Sequence, residues 1–217
     1  MTLRLETFVG GPLETNAYLL IDSETNEALV IDAPGEVTEA ITTAVTTAGA
    51  TVRRIVLTHA HWDHIVDAAR LQAATGASLV AHPLADERLA NPRSEVFALP
   101  FTIEPSTPDE HLTDGDEVAV GTHAFAVLHL PGHDPAHIVL VSKADGLLFG
   151  GDVLFPGGHG RTDVPGADQA VMNGSLARLL ALPDAITVYP GHGQPTTIGA
   201  ERAWLQGSAG SAGTFPR

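Results

Sequence analysis

The stretch Thr58-His59-Ala60-His61-Trp62-Asp63-His64 contains five residues, out of seven, that can bind or orient a metal ion. Imidazole and carboxylate groups in the spacing H-x-H-x-D-H are ligands that suit zinc, iron and manganese. Residues two apart on a helix point in different directions, so His59 and His61 could share one ion only from a loop. The stretch therefore predicts a metal-binding loop; the alternative is a polar turn whose histidines are incidental.

Apolar patterns on both sides of this stretch place it between a strand and a helix. The run before it, residues 52–57, is short and largely apolar, as expected of a buried strand. After Asp63 the apolar residues recur at helical spacing and predict a helix that continues to Ala74. Asp63 and His64 would therefore lie near the N-terminus of that helix.

The remaining sequence predicts one α/β domain. Further strands are expected at 3–9, 16–21, 28–31, 78–81, 117–120, 124–130, 138–141, 147–149 and 186–189, and helices at 37–48, 84–90, 167–181 and 198–205. The segment 91–116 contains four prolines and could be a lid, a substrate wall or a surface excursion. We expect residues 1–206 to form the domain and the Gly/Ser/Ala-rich residues 207–217 to form a flexible tail.

The composition excludes several kinds of partner and chemistry. A formal net charge of −15 argues against nucleic-acid binding, which needs clustered Lys and Arg. No apolar run is long enough to span a membrane, and the first residues lack the blocks of a signal peptide. The absence of cysteine rules out disulfides, thiolate metal sites and a cysteine nucleophile, and it fits the cytoplasm as the expected compartment.

Three more candidate ligands follow predicted strands. They are His133 in a Pro-Gly-His turn, Asp152 in Gly-Gly-Asp and His192 in Pro-Gly-His-Gly. Strand ends on one edge of a sheet can converge, because loops there are free to aim side chains at one another. Asp32 also ends a strand, where it could cap the next helix or support a metal-bound histidine.

Taken together, these motifs resemble the metallo-β-lactamase superfamily in their order and separation along nearly the whole chain. The resemblance implies an α/β fold, a four-layer αββα sandwich with the site at one edge of two facing sheets. It also implies two metal ions. The first would be held by His59, His61 and His133, the second by Asp63, His64 and His192, and both by a bridging Asp152.

Such a centre would supply its own nucleophile. Two divalent ions about 3.5–4 Å apart can share a carboxylate and a water, and that water loses its proton near neutral pH. We expect zinc, with iron or manganese as alternatives, and Asp63 and Asp152 as catalytic residues as well as ligands.

Within the superfamily, the closest resemblance is to glyoxalase II-like hydrolases, which cleave small thioesters such as S-lactoylglutathione. It is carried by 131–133, 151–155, 160–163 and 190–193. Two features depart from that group. Full-length glyoxalase II has a C-terminal helical domain with no counterpart after Gly193, and Ala136 stands where the group has glycine. The resemblance implies a hydrolase in which the bridging hydroxide attacks a thioester carbonyl.

Other functions remain open from the sequence. The run Gly160-Arg161-Thr162-Asp163 also resembles persulfide dioxygenases, which bind one iron through positions matching His59, His133 and Asp152. A lactonase or other ester hydrolase of the same fold is a further alternative, and a non-catalytic metal-binding module is another. His159 and Arg161 are candidate substrate contacts, although Arg161 could instead pair with Asp163 or Asp168.

Five other histidines have weaker signals. His82, at a predicted strand end, is expected to be a site wall or a bystander. The others are expected to be structural or exposed; they are His111, His123, His129 and His137.

Overall fold

The computed structural model describes residues 2–94 and 96–210, which form two six-stranded sheets. The first sheet contains β1 (Leu3–Gly10), β2 (Thr15–Asp22), β3 (Glu27–Ile31), β4 (Thr51–Val56), β5 (Ser78–Ala81) and β6 (Glu110–His111). The second contains β7 (Glu117–Val120), β8 (His123–His129), β9 (Ile138–Ser142), β10 (Leu147–Gly151), β11 (Thr187–Pro190) and β12 (Thr196–Thr197). The helices are α1 (Thr38–Ala48), α2 (Trp62–Ile65), α3 (Ala68–Thr75), α4 (Asp86–Ala90), α5 (Gln169–Leu179) and α6 (Ile198–Gly210), with a 3₁₀ turn at Pro83–Ala85.

Each sheet changes from antiparallel to parallel pairing along its width. In the first sheet β1, β2 and β3 pair antiparallel, and β3, β4, β5 and β6 pair parallel. In the second, β7 to β10 form antiparallel neighbours, β10 and β11 are parallel, and β12 closes the edge antiparallel to β11. Helices connect the parallel strands, as parallel pairing requires a crossover.

Three apolar clusters fill the spaces between four layers. One lies between the first sheet and helices α1 and α3, around Ile41, Ile55 and Leu71. A second lies between the two sheets, around Phe125 and Phe149. A third, between the second sheet and helices α5 and α6, includes Leu176 and Leu205 among its buried residues. The predicted αββα sandwich is therefore confirmed.

The helix predicted from Asp63 to Ala74 is wrong as a single element. The chain forms α2 and α3 with a break at Val66 and Asp67. The break follows from tertiary contacts of Asp67, whose amide donates to the carbonyl oxygen of Ala33 at 2.9 Å. Local apolar spacing carries no information about such a contact.

Other segments also differ from the sequence prediction. The 91–116 segment contains the short strand β6, which pairs with β5. Helix α6 continues to Gly210, so residues 207–210 are helical rather than part of a flexible tail. Leu205 is fully buried and anchors the helix close to its end, and the helical hydrogen bonding then continues through the small residues. Residues 211–217 lie outside the described range. Among the described residues, no helix is long and apolar enough to cross a membrane.

The N-terminus of α1 is capped from a distance. The Asp67 carboxylate accepts hydrogen bonds from the backbone nitrogens of Val37 and Thr38, at 3.1 and 3.0 Å, and from the Thr38 hydroxyl at 2.7 Å. A helix N-terminus has unsatisfied N–H groups that a carboxylate stabilises. This buried cap ties α1 to the α2–α3 break.

We expect Asp67→Ala to lower the free energy of unfolding by about 2–3 kcal/mol, because a lost cap and buried unsatisfied donors each cost about 1 kcal/mol or more. Urea unfolding followed by circular dichroism measures the change. The control is Glu87→Ala, since Glu87 is exposed on α4, and it should change the free energy of unfolding by less than about 0.5 kcal/mol. Equal effects of the two substitutions would contradict the capping role.

Candidate metal centre

Four loops at the carboxyl ends of strands bring all seven predicted metal ligands together. The loop after β4 supplies four of them, and the segments after β8, β10 and β11 supply one each. Their donor atoms form three overlapping groups, in each of which all donors lie within 4.8 Å of one another. The groups are His59, His61 and His133; His59, His64 and Asp152; and Asp63, His64 and His192.

The first and third groups coincide with the two ligand sets that the superfamily resemblance implies. In the first, His61 Nδ1 lies 2.8 Å from His133 Nε2. In the third, Asp63 Oδ2 lies 3.2 Å from His192 Nε2. Asp152 reaches both, because its Oδ2 lies 3.4 Å from His133 Nε2 and 3.6 Å from His192 Nε2. A carboxylate in this position can bridge two ions.

Hydrogen bonds at the far side of two imidazoles fix which nitrogen faces the cluster. Nδ1 of His133 is 2.7 Å from the carbonyl oxygen of Arg161, and Nδ1 of His192 is 3.0 Å from that of Leu13. A carbonyl oxygen only accepts, so in both rings Nδ1 carries a hydrogen and Nε2 is the nitrogen left to bind a metal. This is the form that a metal-binding histidine needs.

Asp32 orients two histidines of the cluster. Of the two roles considered for Asp32, helix capping and support of a histidine, the structure therefore shows the support of histidines. Its Oδ2 accepts from His64 Nδ1 at 2.8 Å, and its Oδ1 accepts from the backbone nitrogen of Thr58 at 2.7 Å. The Thr58 hydroxyl donates to Asp32 at 2.8 Å and lies 3.1 Å from His59 Nδ1. Asp32 therefore holds His64 directly and His59 through Thr58.

Buried polar atoms without partners show that the cluster fits a cation. His59 Nε2, His64 Nε2 and Asp152 Oδ1 are buried and have no hydrogen-bond partner among the described residues. Leaving such atoms unsatisfied costs about 1–3 kcal/mol each, and more for a charged group. All three atoms face the same donor cluster, so cations bound there would satisfy them.

The charge states of several donors also suit a cation. Burial, reinforced by the nearby His64, holds the pKa of His59 well below its usual range, and burial lowers the pKa of His61 to about 4. For the carboxyl of Asp63, burial acts to raise the pKa, but His64 and His192 together outweigh burial and lower the pKa to about 2. At neutral pH the carboxylate is therefore ionised and these two imidazoles are neutral, as metal binding requires.

His64 differs from His59 and His61. Burial acts to lower its pKa, but Asp63, Asp152 and Asp32 together raise the pKa well above its usual range. A cation that binds His64 Nε2 must therefore displace a proton, and metal affinity should rise with pH.

Side chains at the start of β2 hold the turn that carries the last ligand. The Asn16 amide donates to the carbonyl oxygens of Pro190 and Gly193 at 2.9 and 3.0 Å. The Tyr18 hydroxyl also donates to the Pro190 oxygen, at 2.6 Å. Thus the first sheet fixes a ligand-bearing turn of the second.

Thr15 adds a direct contact with a ligand. Its hydroxyl donates to Asp63 Oδ2 at 2.9 Å, and the residue forms an isolated β-bridge with His192. Sequence analysis missed Thr15, Asn16 and Tyr18 as parts of the site. The available signal was polar side chains at the start of β2, a strand in which every residue is buried.

The glycine-rich loop 156–163 is fastened to the cluster and to α6. The Gly160 nitrogen donates to the carbonyl oxygen of Asp152 at 2.8 Å, and a Cβ on Gly160 would clash with that oxygen and with the His133 ring. Only glycine fits such a close approach. At the other side, the Gly157 nitrogen donates to the buried carboxylate of Glu201 at 2.8 Å.

A cavity of about 370 Å³, called the site cavity below, opens onto the cluster. Five ligands line its floor: His61, Asp63, His133, Asp152 and His192. Its walls come from Trp62, the 91–116 segment and the loop from Phe155 to Pro165. Of the roles considered for the 91–116 segment, the structure shows a cavity wall.

The two candidate substrate contacts both line the site cavity. Arg161 donates to both carboxylate oxygens of Asp163, at 2.8 and 3.0 Å, which is the structural pairing considered above. His159 Nδ1 donates to the Gly160 carbonyl oxygen at 2.7 Å, and the ring lies outside the three donor groups. Their roles as substrate contacts stay predictions.

The other histidines lie outside the donor groups. His82 stacks on His129 with ring centroids 4.1 Å apart, and its Nδ1 accepts from the backbone nitrogen of Leu84. His137 is fully buried beside His59, and its Nε2 accepts from the Asp152 backbone nitrogen at 2.9 Å. His82 is thus a bystander and His137 supports the site structurally.

Comparison with known proteins agrees with this architecture. A family model of the metallo-beta-lactamase superfamily matches residues 10–192. The hydroxyacylglutathione hydrolase GloC of Haemophilus influenzae is 34% identical over 205 residues, which cover 92% of this chain and 95% of that protein. TTHA1623, solved in a di-iron-bound form, superposes with a TM-score of 0.78 at 36% identity, covering 91% of this chain and 96% of its own. ETHE1 from Myxococcus xanthus has a TM-score of 0.78 at 30% identity, with coverage of 97% and 85%.

The sandwich and the cluster at its edge define a protein whose histidines and aspartates can bind metal ions. The chain belongs to the metallo-beta-lactamase superfamily, a superfamily of metallo-hydrolases whose members are generally enzymes. The resemblance found from the motifs is thereby confirmed.

We expect Asp32→Asn to weaken metal binding by about 10- to 100-fold, the usual effect of losing a group that orients a ligand. The asparagine amide would donate to His64 Nδ1 and leave the hydrogen on Nε2, where it blocks the metal. Asparagine tolerates the left-handed backbone of Asp32 (φ 59°). Competition with a chromophoric chelator at fixed pH measures the affinity.

The control is Asp145→Asn. Asp145 pairs with the buried His123 at the same distance, 2.8 Å, but at the amino end of β8. This variant should bind metal as the wild type does, so a similar loss in both variants would show that Asp32 acts only through general stability.

Proposed function

We propose that this protein hydrolyses a thioester at a centre of two divalent metal ions. The observation that carries the proposal is the convergence of two complete donor groups, joined by Asp152, on the floor of one cavity. A one-ion site would need only one such group. The name of the Haemophilus relative, hydroxyacylglutathione hydrolase, supports a thioester as substrate.

We propose zinc as the bound metal. Histidine and carboxylate donors suit zinc, and they also suit iron and manganese. The di-iron-bound form of TTHA1623 makes iron the first alternative.

The residues of the chain divide the work of hydrolysis. Two divalent ions held by the seven donors would supply Lewis acidity and lower the pKa of water. Asp63 stays ionised and is held by the Thr15 hydroxyl, so its carboxylate is oriented toward the cavity floor.

A persulfide dioxygenase is the second candidate, because its ligand set is contained in this one. His133 Nε2 lies 3.4 Å from Asp152 Oδ2, and each of these residues shares a donor group with His59. Two histidines and a carboxylate can hold a single iron with open positions for oxygen. Against this candidate, Asp63, His64 and His192 form a further complete group that a single iron does not require.

We expect two metal ions per chain. We also expect Asp152→Ala to lose most of the metal and all activity, because two nearby cations then lack their shared carboxylate. The matched variant is His159→Ala, since His159 also lines the site cavity but lies outside the donor groups. Elemental analysis should find wild-type metal content in His159→Ala. Fully active protein with one ion per chain, or an empty His159→Ala, would refute the assignment.

With S-lactoylglutathione or a simpler acyl thioester, the protein should release thiol and acid without consuming oxygen, because the proposed centre activates water rather than oxygen. A paired assay on one preparation measures thiol release from the thioester, and oxygen uptake with glutathione persulfide after iron loading.

Protein stripped of metal by a chelator serves as the blank, and a lactone serves as a third substrate. Oxygen uptake without thioester cleavage would replace the hydrolase by the dioxygenase. Lactone opening alone would keep a hydrolase and change its substrate.

A further inference from the structure

The walls of the site cavity differ in character from its floor. The floor is the polar ligand cluster, whereas the walls carry large apolar side chains: Leu13, Trp62, Val96, Phe97, Phe155, Val164 and Pro165. Val96 and Phe97 are 56% and 53% exposed. Exposed apolar side chains that rim a pocket commonly receive an apolar part of a ligand.

Phe97 is positioned by a ring contact with Trp62. The ring centroids are 5.8 Å apart at an interplanar angle of 82°, which is a favourable edge-to-face arrangement. Trp62 is buried and is the first residue of α2, immediately before the ligand Asp63. A group bound against these two rings therefore lies beside the metal ligands.

Arg93 gives the same wall a positive charge. Among the residues that the structure describes, no carboxylate forms an ion pair with Arg93, whose Nη1 donates to the Asn91 carbonyl oxygen at 3.4 Å. Arg161, by contrast, is held by Asp163. In a chain of net charge −15, an arginine at a cavity wall that pairs with no carboxylate of residues 2–94 and 96–210 is complementary to an anionic group on the ligand.

Building on the proposed thioester hydrolysis, we propose that Phe97, Val96 and Trp62 select thioesters with a large apolar acyl group, and that Arg93 binds an anionic group on the thiol half. The substrate class is a medium-chain or aryl acyl thioester of an acidic thiol, in preference to short or hydroxylated acyl groups. Hydrolysis adds water across the C–S bond: the carbonyl carbon gains the hydroxyl, and the sulfur leaves with the proton.

The first test is an acyl series on one thiol, 3-mercaptopropionate, with the metal-loaded protein. Each buried methylene contributes about fourfold to transition-state binding when it is fully removed from water. Because Phe97 is half exposed, we expect kcat/KM for the hexanoyl thioester to exceed that for the acetyl thioester by about tenfold or more. A lactoyl thioester that reacts as well as the hexanoyl thioester would overturn the proposal.

Two variants locate the selection. Phe97→Ser should reduce the hexanoyl-to-acetyl ratio to about threefold or less. The control is Phe101→Ser. Phe101 is an exposed aromatic residue of the same segment whose ring centroid lies 6.1 Å from that of Trp62, but it does not line the site cavity. The control should retain the wild-type ratio. Equal loss in both variants would place selection in the segment as a whole and overturn the proposal.

A third variant tests the charge. Arg93→Gln should raise KM about tenfold for thioesters of 3-mercaptopropionate and leave KM for thioesters of its neutral amide within about twofold. Equal effects on the acid and the amide would remove Arg93 from the proposal.

Binding separates this inference from the proposed function. If no thioester is cleaved, the hydrolase proposal fails, but the cavity can still be tested with S-hexyl and S-ethyl thioethers of 3-mercaptopropionate, which cannot be hydrolysed. Calorimetry should give a dissociation constant at least about tenfold lower for the hexyl compound, and Phe97→Ser should reduce that difference to about threefold or less. Equal affinity of the two compounds would overturn the proposal independently of any activity.

Discussion

Hydrogen bonds between the two sheets fix the cluster of metal-binding donors, because the donor residues come from both sheets. The loop after β4 belongs to the first sheet, and the other three ligands follow strands of the second. Apolar packing between the sheets is non-directional and does not fix their relative position by itself. Directional hydrogen bonds from Asn16 and Tyr18 fix this relative position. Both side chains donate to the Pro190 carbonyl oxygen, and the Asn16 backbone nitrogen donates to the Gly191 carbonyl oxygen at 2.7 Å. Metal ligands need placement within about half an ångström, which such bonds provide.

Asp32 shows how much local cost the centre tolerates. The residue has a φ of 59°, a left-handed conformation that costs a non-glycine residue about 1 kcal/mol or more. It persists because its carboxylate accepts from the Thr58 nitrogen, the Thr58 hydroxyl and His64 Nδ1. The strained backbone after β3 thus places a carboxylate that orients two histidines of the loop after β4. Backbone conformations that violate local preference are expected at functional sites of this kind.

The sequence was sufficient to predict which donor side chains converge, but not which groups support them. Each ligand sits in a short motif with its own turn residues, such as Pro-Gly-His around His133, so the pattern is complete within a few positions. Asp67 caps α1 across 29 residues, and Asn16 binds Pro190 across 174. Such contacts exist only after the layers pack, and no local pattern encodes them. The same reason explains the broken helix at Val66 and the wall formed by Phe97.

The electrostatics of the cluster bear on how many ions it holds. His59, His133 and Asp152 would suffice for one divalent cation, whose charge would more than offset that of the single carboxylate. The chain places a second carboxylate, Asp63, in the same buried cluster, where Asp152 acts to raise its pKa. Holding two ionised carboxylates together in a low-dielectric site is unfavourable unless positive charge lies between them. A protonated His64 supplies one such charge without metal, and a second cation that displaces its proton supplies more. A one-ion site leaves the Asp63 carboxylate without a role. Its burial beside Asp152 is therefore the strongest electrostatic argument for two ions.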